Sequence, residues 1–197
     1  MTESQTPRTV WKGSALLAPV PPALVTCGSM ENPNILTVAW TGILCTIPPK
    51  TYISLRPERF SYPLIEQTGA FVINLPTVGL LKAVDFCGVR SGRDTDKLKT
   101  LGLSVSLASS VEAPILDSAP VSLECVVTDK LSLGSHTMFL ADIAAVSVQS
   151  RLLNAAGKLE LDKAQLLAYA HGAYFALGEQ LGTFGFSVKK SARKRKK

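Results

Sequence analysis

Arginine and hydroxyl side chains gather at a single joint of this 197-residue chain. In the stretch RPERFSYPLIEQTGAFVINLP, Arg56 and Arg59 offer forked N–H donors, and Ser61 offers a hydroxyl where a helix-like segment begins. Guanidinium forks and the free N–H groups of a first helical turn both suit a phosphate. The spacing therefore predicts a site for one terminal phosphate. A second interpretation stays open, in which the arginines form surface ion pairs and Ser61 only caps the helix.

A second cluster, CGVRSGRDTDK, runs from Cys87 to Lys97 and combines glycines, a serine and three basic side chains. Gly88 and Gly92 permit the backbone to approach a ligand closely. The segment matches neither a Walker loop nor a dinucleotide fingerprint, so no nucleotide motif of those kinds applies. On its own residues, this loop either lines a ligand site or binds nothing.

Two single residues extend the list of candidates. Trp40 lies in VAWTG, where a ring, a hydroxyl and a glycine end an apolar strand and suit a flat heterocycle, although a core tryptophan has the same pattern. His136 follows a turn and opens a strand, a position at which a lone histidine is more often structural than catalytic. The four cysteines lie far apart and have no zinc-finger partners, so we predict no metal site.

The elements that position these residues are mainly strands. Val, Ile, Thr and aromatic residues between turn signals predict short strands from ALVTCGS through TYISLRP, and again in AFVINLP. Helical spacing predicts short helices over 59–69, in VGLLKAVDFCG with a stripe of Leu80, Leu81, Val84 and Cys87, and in RDTDKLKTLG. Two long antiparallel strands follow, with alternation at Val121, Leu123, Cys125 and Val127 and then at Met138, Leu140 and Ile143. The predicted fold is a β-barrel with helical decorations.

Composition indicates one self-associating domain. Hydrophobic residues make up 46% of the chain and charged residues 18%, which leaves a charge-poor surface. The net charge of +6 comes from residues 189–197, which hold seven of the 21 basic side chains. We predict a domain over 1–188 and a disordered basic tail over 189–197, with a nucleic-acid arm as the less favoured interpretation. The absence of a signal peptide or membrane-spanning run predicts a cytoplasmic protein.

Three motifs agree in order and spacing with a known family. The stretch NILTVAWTGILCTIPPKTYISLRPERFSYPLIEQTGAFVINLP, then DFCGVRSGRDTDK, then LGSHTMFLADI resembles the flavin reductase-like family of flavoredoxin-type FMN-binding split barrels. The resemblance runs from about Ala18 to Gln149, and the C-terminal stretch YFALGEQLGTFGFSVKK is similar to tails of bacterial members. It implies a homodimeric split β-barrel that holds one FMN per subunit near the subunit interface.

The resemblance also implies roles for individual residues. The strand matching Thr37, Ala39, Trp40, Thr41 and Gly42 would line the isoalloxazine. The stretch with Ser54, Leu55, Arg56, Arg59 and Ser61 would run beside the ribityl phosphate, and Asn74 would be a further flavin contact. Cys87, Gly88, Ser91, Gly92 and Lys97 match the phosphate-side loop. Cys45 and His136 match the side of the ring where a nicotinamide or acceptor stacks.

The implied activity is that of an NAD(P)H-dependent flavin reductase, which passes hydride to FMN and electrons onward to a small-molecule or protein acceptor. Cys45 and Thr46 stand where many flavin reductases carry a serine-rich turn, so an alternative stays open. That alternative is an electron-transfer flavoprotein that a partner protein reduces.

Overall fold

The structure is a computed structural model that describes residues 6–188. The strands are β1 (Ala23–Cys27), β2 (Asn34–Val38), β3 (Thr41–Thr46), β4 (Pro49–Leu55), β5 (Ala70–Leu75), β6 (Val105–Leu107), β7 (Pro114–Leu116), β8 (Val121–Ser132), β9 (Thr137–Val148), β10 (Leu167–Ala170) and β11 (Ala173–Ala176). The helices are α1 (Ser61–Thr68), α2 (Leu81–Val89) and α3 (Lys97–Leu101), with single 3-10 turns at Val78–Leu80, Ser150–Leu152, Leu161–Ala164 and Phe186–Val188. The predicted mainly β class is confirmed.

Seven of the strands form one antiparallel sheet in the order β2-β1-β5-β8-β9-β4-β3. Its two edge strands, β2 and β3, are consecutive in the chain, so the sheet must roll until its edges meet. The Ser54 N–H donates to the Trp40 carbonyl at 2.9 Å across that junction. Leu36 of β2 and Ile53 of β4 consequently share one buried core although they lie near opposite ends of the strand order. The result is the split barrel expected from the sequence.

Strand β1 is buried on both faces because both are covered. Val25 and Cys27 point into the barrel, whereas Leu24 packs under α2 and α3 in a second core cluster. A strand that is covered on both faces is expected to be apolar along its whole length, and the sequence of β1, ALVTC, is nearly so. This second core cluster fixes α2 and α3 against the outside of the barrel, where they line the candidate site.

Helix α1 ends where the sequence indicates but begins differently. Gly69 adopts a left-handed φ of 65° and its N–H donates to the Ile65 carbonyl, so glycine ends the helix as predicted. The capping role predicted for Ser61 is wrong, because the N-cap residue is Phe60 and no side chain caps the helix. Ser61 is instead 2% exposed and accepts a hydrogen bond from Asn34 Nδ2 at 2.6 Å.

Two other boundaries or faces differ from the prediction. Helix α2 was expected to end at Gly88 but continues for one more residue, to Val89. Leu81 is 40% exposed, so this residue does not belong to the buried stripe of the helix. On β9 the buried residues at the N-terminal half are Thr137, Phe139 and Ala141, which places Met138 and Leu140 on the half-buried face. Both faces of β9 carry apolar residues, so alternation alone does not identify the inner one.

Glu124 of β8 is buried, and no cationic side chain within residues 6–188 pairs with it. Its carboxylate accepts hydrogen bonds from the Ser110 N–H at 2.6 Å, the Ser147 hydroxyl at 2.7 Å and the Ser109 hydroxyl at 3.1 Å. These bonds hold the 108–113 loop against the sheet, where Ala108, Val111 and Ala113 form a small core of their own.

We expect Glu124→Ala to lower the free energy of unfolding by about 1–3 kcal/mol, because the half-buried Ser110 N–H and the hydroxyls of Ser109 and Ser147 lose their acceptor. Glu124→Gln retains an acceptor for that N–H, so a smaller loss is expected. Chemical denaturation measures both, with Glu112→Ala in the same loop as the exposed control. Equal stability of Glu124→Ala and Glu112→Ala would contradict this interpretation.

The predicted basic tail, 189–197, lies outside the described residues. Within 6–188 no helix combines the length and apolar character needed to cross a membrane. All four cysteines are free, and Cys27, Cys87 and Cys125 are buried. Unpaired thiols of this kind are usual in a reducing compartment.

Candidate functional site

A cavity of about 800 Å³ opens where the two edges of the rolled sheet meet. We call it the first cavity. Five elements meet around it: the end of β2, the end of β4, helix α2, the tip of the β8–β9 hairpin and the β10–β11 hairpin. The residues predicted from the sequence that line it are Thr37, Ala39, Trp40, Ser54, Leu55, Arg56, Arg59, Gly88 and His136.

The cationic end of the first cavity is built on contacts with α2. Arg59 Nη1 donates to the Gly88 carbonyl at 3.2 Å, which holds the guanidinium against the end of that helix. The Thr37 hydroxyl donates to the Val84 carbonyl at 2.5 Å, which ties β2 to the same helix. The Arg56 side chain has no hydrogen-bond or ion-pair partner within residues 6–188, so its donors remain available to a ligand.

The β8–β9 hairpin places a histidine on the cavity wall. Ser135 Oγ and His136 Nδ1 lie 2.9 Å apart, so one of them donates to the other and the ring is oriented. This leaves Nε2 of His136 for a group in the cavity. Trp40, 37% exposed, supplies the largest apolar surface from the β2–β3 connection.

A second cavity of about 480 Å³ lies beside the first and is lined by two further predicted residues, Gly92 and Lys97. Lys97 is only 4% exposed, yet within residues 6–188 it has no hydrogen-bond or ion-pair partner. Burial lowers the pKa of its amino group below the ordinary value, and the charge of nearby Arg59 lowers it further, against an opposing effect of Cys87 and Cys27. Two cations thus lie near each other, and neither has an ion-pair partner among the described residues.

Gly92 allows the loop that carries Lys97 to pass close to β2 and α1. A Cβ at this position would lie 2.5 Å from Asn34 Oδ1 and 2.5 Å from Phe60 Cδ1. Asn34 has little freedom to move, because its Nδ2 is bonded to Ser61. The structural role of Ser61 is therefore to hold Asn34, which in turn fixes the position of this loop.

We expect Gly92→Ala to displace the loop and to lower the free energy of unfolding by about 1–3 kcal/mol through overpacking. Gly79→Ala is the matched control, since a Cβ there would meet only the Thr77 hydroxyl at an ordinary 3.5 Å. Thermal denaturation compares the two variants. If Gly92→Ala is as stable as Gly79→Ala, the close approach has no energetic importance.

Asn74 is placed in the core and not on either cavity. It is 0% exposed, and its Nδ2 donates to the Leu24 carbonyl and to Thr26 Oγ1, each at 2.9 Å. Its Oδ1 accepts from the Leu116 N–H at 3.1 Å and from the Ser122 hydroxyl at 2.8 Å. These bonds leave the side chain no contact with a flavin in the first cavity, which corrects the role expected from the sequence.

The remaining predicted residues also lie off the two cavities. Cys87 is 1% exposed in the core beneath α2, where burial raises the pKa of its thiol to about 11. Ser91 Oγ accepts from the Arg93 N–H at 3.2 Å, a turn contact within the loop. Thr41 and Gly42 of β3 face a small apolar pocket on the other side of that strand, and Cys45 lies near the tip of the β3–β4 hairpin. The structure therefore does not support direct contacts between these five residues and a ligand in either cavity.

Sequence reasoning missed one wall of the first cavity. Tyr169 and Tyr174 come from the β10–β11 hairpin, with ring centroids 5.4 Å apart, and Tyr174 OH donates to Asp85 Oδ1 of α2 at 3.3 Å. Burial and then the Asp85 charge raise the pKa of Tyr174, which keeps it a donor. In the sequence, two apolar runs on either side of His171 and Gly172 indicate a hairpin. In the structure, His171 and Gly172 both have positive φ, as a tight hairpin turn requires.

The site as a whole is a mostly apolar slot with aromatic side chains on its walls and cations at one end. Such a slot suits a flat molecule that carries an anionic group at one extremity. Among the described residues, no three His, Cys, Asp or Glu side chains converge as metal ligands would.

Comparison with known proteins points in the same direction. Residues 16–178 match the family model described as "Flavin reductase like domain". The flavoredoxin of Desulfovibrio vulgaris (Miyazaki F) superposes with a TM-score of 0.85 at 30% identity, over 92% of this chain and 100% of that chain.

Two further matches extend the comparison. An FMN-binding protein from Thermus thermophilus, solved with bound 1-cyclohex-2-enone, superposes with a TM-score of 0.75 at 26% identity, over 92% of this chain and 99% of that one. An uncharacterized protein of Archaeoglobus fulgidus is 31% identical over 131 residues, which are 66% of this chain and 73% of that protein.

Proposed function

The chain belongs to the flavin reductase-like domain family, and from this we propose that it is an FMN-binding oxidoreductase that takes electrons from NAD(P)H and passes them to an acceptor. The observation that carries the proposal is Lys97, a lysine whose side chain is 4% exposed, which lies close to Arg59 and has no ion-pair partner within residues 6–188. Two neighbouring cations without an ion-pair partner among residues 6–188 repel each other, and a bound anion offsets that repulsion. The terminal phosphate of FMN is such an anion.

The residues present fit the rest of the molecule. A cavity of about 800 Å³ lies within the usual range of about 300–1,000 Å³ for small-molecule sites. Trp40, Leu55 and Val89 offer apolar surface to the ring, whereas Arg56 and Arg59 offer donors to the ribityl phosphate. The phosphate would lie at the Arg59 end, within reach of Lys97 at the adjoining cavity.

When bound, FMN supplies the hydride and electron transfer chemistry. The chain binds the phosphate through Arg59 and Lys97, orients the ring against Trp40, and excludes water with the tyrosine wall. His136 Nε2 offers a hydrogen bond to a nicotinamide or acceptor that enters from the hairpin side. Since Cys45 does not line the cavity, we assign it no part in this step.

Anaerobic reduction tests the proposed activity. The protein loaded with FMN is mixed with NADH or NADPH in a stopped-flow instrument, and the flavin absorbance is followed. A reductase bleaches rapidly with at least one nicotinamide and then reduces free flavin or a metal complex. Bleaching by dithionite but by neither nicotinamide would exclude the NAD(P)H-dependent function.

The second candidate function is an electron-transfer flavoprotein that a partner protein reduces. The match to a flavoredoxin at 30% identity supports it, as does a phosphate clamp that would retain the flavin. This candidate predicts slow oxidation of nicotinamides together with fast reduction by a donor flavoprotein or iron–sulfur protein. Fast bleaching by NADH or NADPH alone would exclude it.

We also propose that the protein is a homodimer in the cytoplasm. Strand β3 is an edge strand of the sheet, and it exposes Ile43 by 62%, with Ile47 exposed by 89% in the following turn. Unpaired edges with apolar side chains favour association with a second copy. Light scattering after size exclusion should give twice the chain mass of 21.0 kDa. A monomer at micromolar concentration would contradict the dimer.

A further inference from the structure

Lys97 has an environment that sets it apart from other lysines of the chain. Its side chain is 4% exposed and lines the second cavity of about 480 Å³. Buried thiols, those of Cys27 and Cys87, lie close enough to affect its charge, and both are kept protonated because burial raises the pKa of each to about 11. The amino group therefore has uncharged neighbours on the core side and open space on the other.

The chemical consequence is a more nucleophilic amine. Burial lowers the pKa of Lys97, so more of it is neutral at a given pH than for an ordinary lysine. The exposed residues Lys130 and Lys163 show the opposite behaviour, because hydrogen bonds to Glu66 and Glu160 raise the pKa of their amino groups. Lys130 and Lys163 can therefore serve as internal controls for Lys97, because their amino groups are held in the charged form by carboxylates.

The nearby guanidinium of Arg59 selects the kind of electrophile. The guanidinium of Arg59 can bind a phosphate group. An acyl phosphate carries such a group directly attached to a reactive carbonyl, so binding of the phosphate would bring the carbonyl towards Lys97. Carboxylates of Glu31, Asp94 and Asp96 also line the second cavity, although Asp96 Oδ1 is engaged by the Lys99 N–H at 3.0 Å. Their negative charge opposes any anion, and it does so more strongly as the charge of the anion rises, so a mono- or dianionic acyl phosphate is favoured over a polyanion.

We propose that Lys97 is an acylation site for small acyl phosphates in the flavin-free protein, and that acylation prevents flavin binding. The neutral amine attacks the acyl carbon, a C–N bond forms, and the C–O bond to phosphate breaks. Inorganic phosphate leaves and the nitrogen loses one proton, so the product is a neutral amide. The acylation stands on the cavity and its charges alone, whereas the effect on flavin rests on the proposed function.

The experiment treats flavin-free protein with acetyl phosphate and quantifies acetylated peptides by mass spectrometry over time. We expect Lys97 to react several-fold faster than Lys130 and Lys163. Arg59→Gln should slow the reaction at Lys97 while leaving Lys130 unchanged. With acetic anhydride, which has no phosphate, the Lys97 preference should persist and the dependence on Arg59 should disappear. A rate at Lys97 no higher than at the two exposed lysines, or no effect of Arg59→Gln with acetyl phosphate, would overturn the proposal.

A flavin arm separates this proposal from the proposed function. If both hold, FMN protects Lys97 and the acetylated protein no longer binds FMN. Selective acetylation without any FMN binding would leave the modification site standing and remove the flavin function. FMN binding without selective acetylation would leave the flavin function standing and overturn the modification site. Circular dichroism confirms that the Arg59→Gln variant is folded.

Discussion

Lys97→Met is expected to weaken FMN binding and to stabilise the flavin-free protein at the same time. Loss of a charged hydrogen bond to the phosphate costs about 1.5–3 kcal/mol, which corresponds to roughly a 10- to 150-fold rise in Kd. Removal of a charge that lies on a mostly buried side chain, near Arg59 and without an ion-pair partner within residues 6–188, should raise the free energy of unfolding by on the order of 1 kcal/mol. The substitution is thus expected to lower FMN affinity and to raise stability, because Lys97 is proposed to bind the ligand and makes no ion pair that stabilises the fold.

Fluorescence titration with FMN and urea denaturation measure the two quantities. Lys82→Met is the control, since Lys82 is exposed on α2 and lines neither cavity. We expect that control to change neither value appreciably. A variant at position 97 that is less stable and binds FMN normally would show that Lys97 is a structural residue.

Asn74→Ala is expected to lower the free energy of unfolding by about 3–5 kcal/mol. The substitution leaves the Leu116 N–H and the Ser122 hydroxyl without their acceptor, and it removes a donor from the Leu24 carbonyl, in a region that excludes water. Few single positions in the barrel join so many segments, since the amide connects β1, β7 and β8 to β5. Because of this junction, the cost exceeds that of a single lost hydrogen bond.

Urea denaturation of Asn74→Ala beside Ser122→Ala checks this expectation. Ser122→Ala removes one donor and retains the rest of the network, so about 1 kcal/mol is expected. Any Asn74→Ala protein that remains folded at low temperature should bind FMN with nearly unchanged affinity. A selective loss of FMN affinity at normal stability would restore the flavin contact that the sequence suggested.

Local patterns in the sequence were sufficient for most elements of the fold. Gly69, which must adopt a left-handed φ, marks the end of α1, and the apolar run ALVTC marks a strand covered on both faces. Alternation failed on β9, because Phe139 and Met138 are both apolar and only the packed barrel decides which side is inside. The His171–Gly172 turn shows that a usable hairpin signal also existed in a region left without a prediction.

The sequence was informative about which strand ends and loops border the first cavity, and uninformative where a polar side chain had a choice of partners. Trp40, Arg59 and Gly88 line the first cavity, as their strand-end and loop positions suggested. Asn74 looks like a ligand contact in sequence, but its acceptor bonds with Leu116 and Ser122 span more than 40 residues. Only the folded arrangement reveals that such partners are present.

The most direct test of the account compares the affinities of FMN and riboflavin for the flavin-free protein by fluorescence titration. The two molecules share the ring and the ribityl chain, and only FMN carries the phosphate that Arg59 and Lys97 are proposed to hold. We predict that FMN binds more tightly by at least roughly 10-fold, and that Lys97→Met reduces this preference. Equal affinities for the two flavins, or no binding of either, would contradict the central claim.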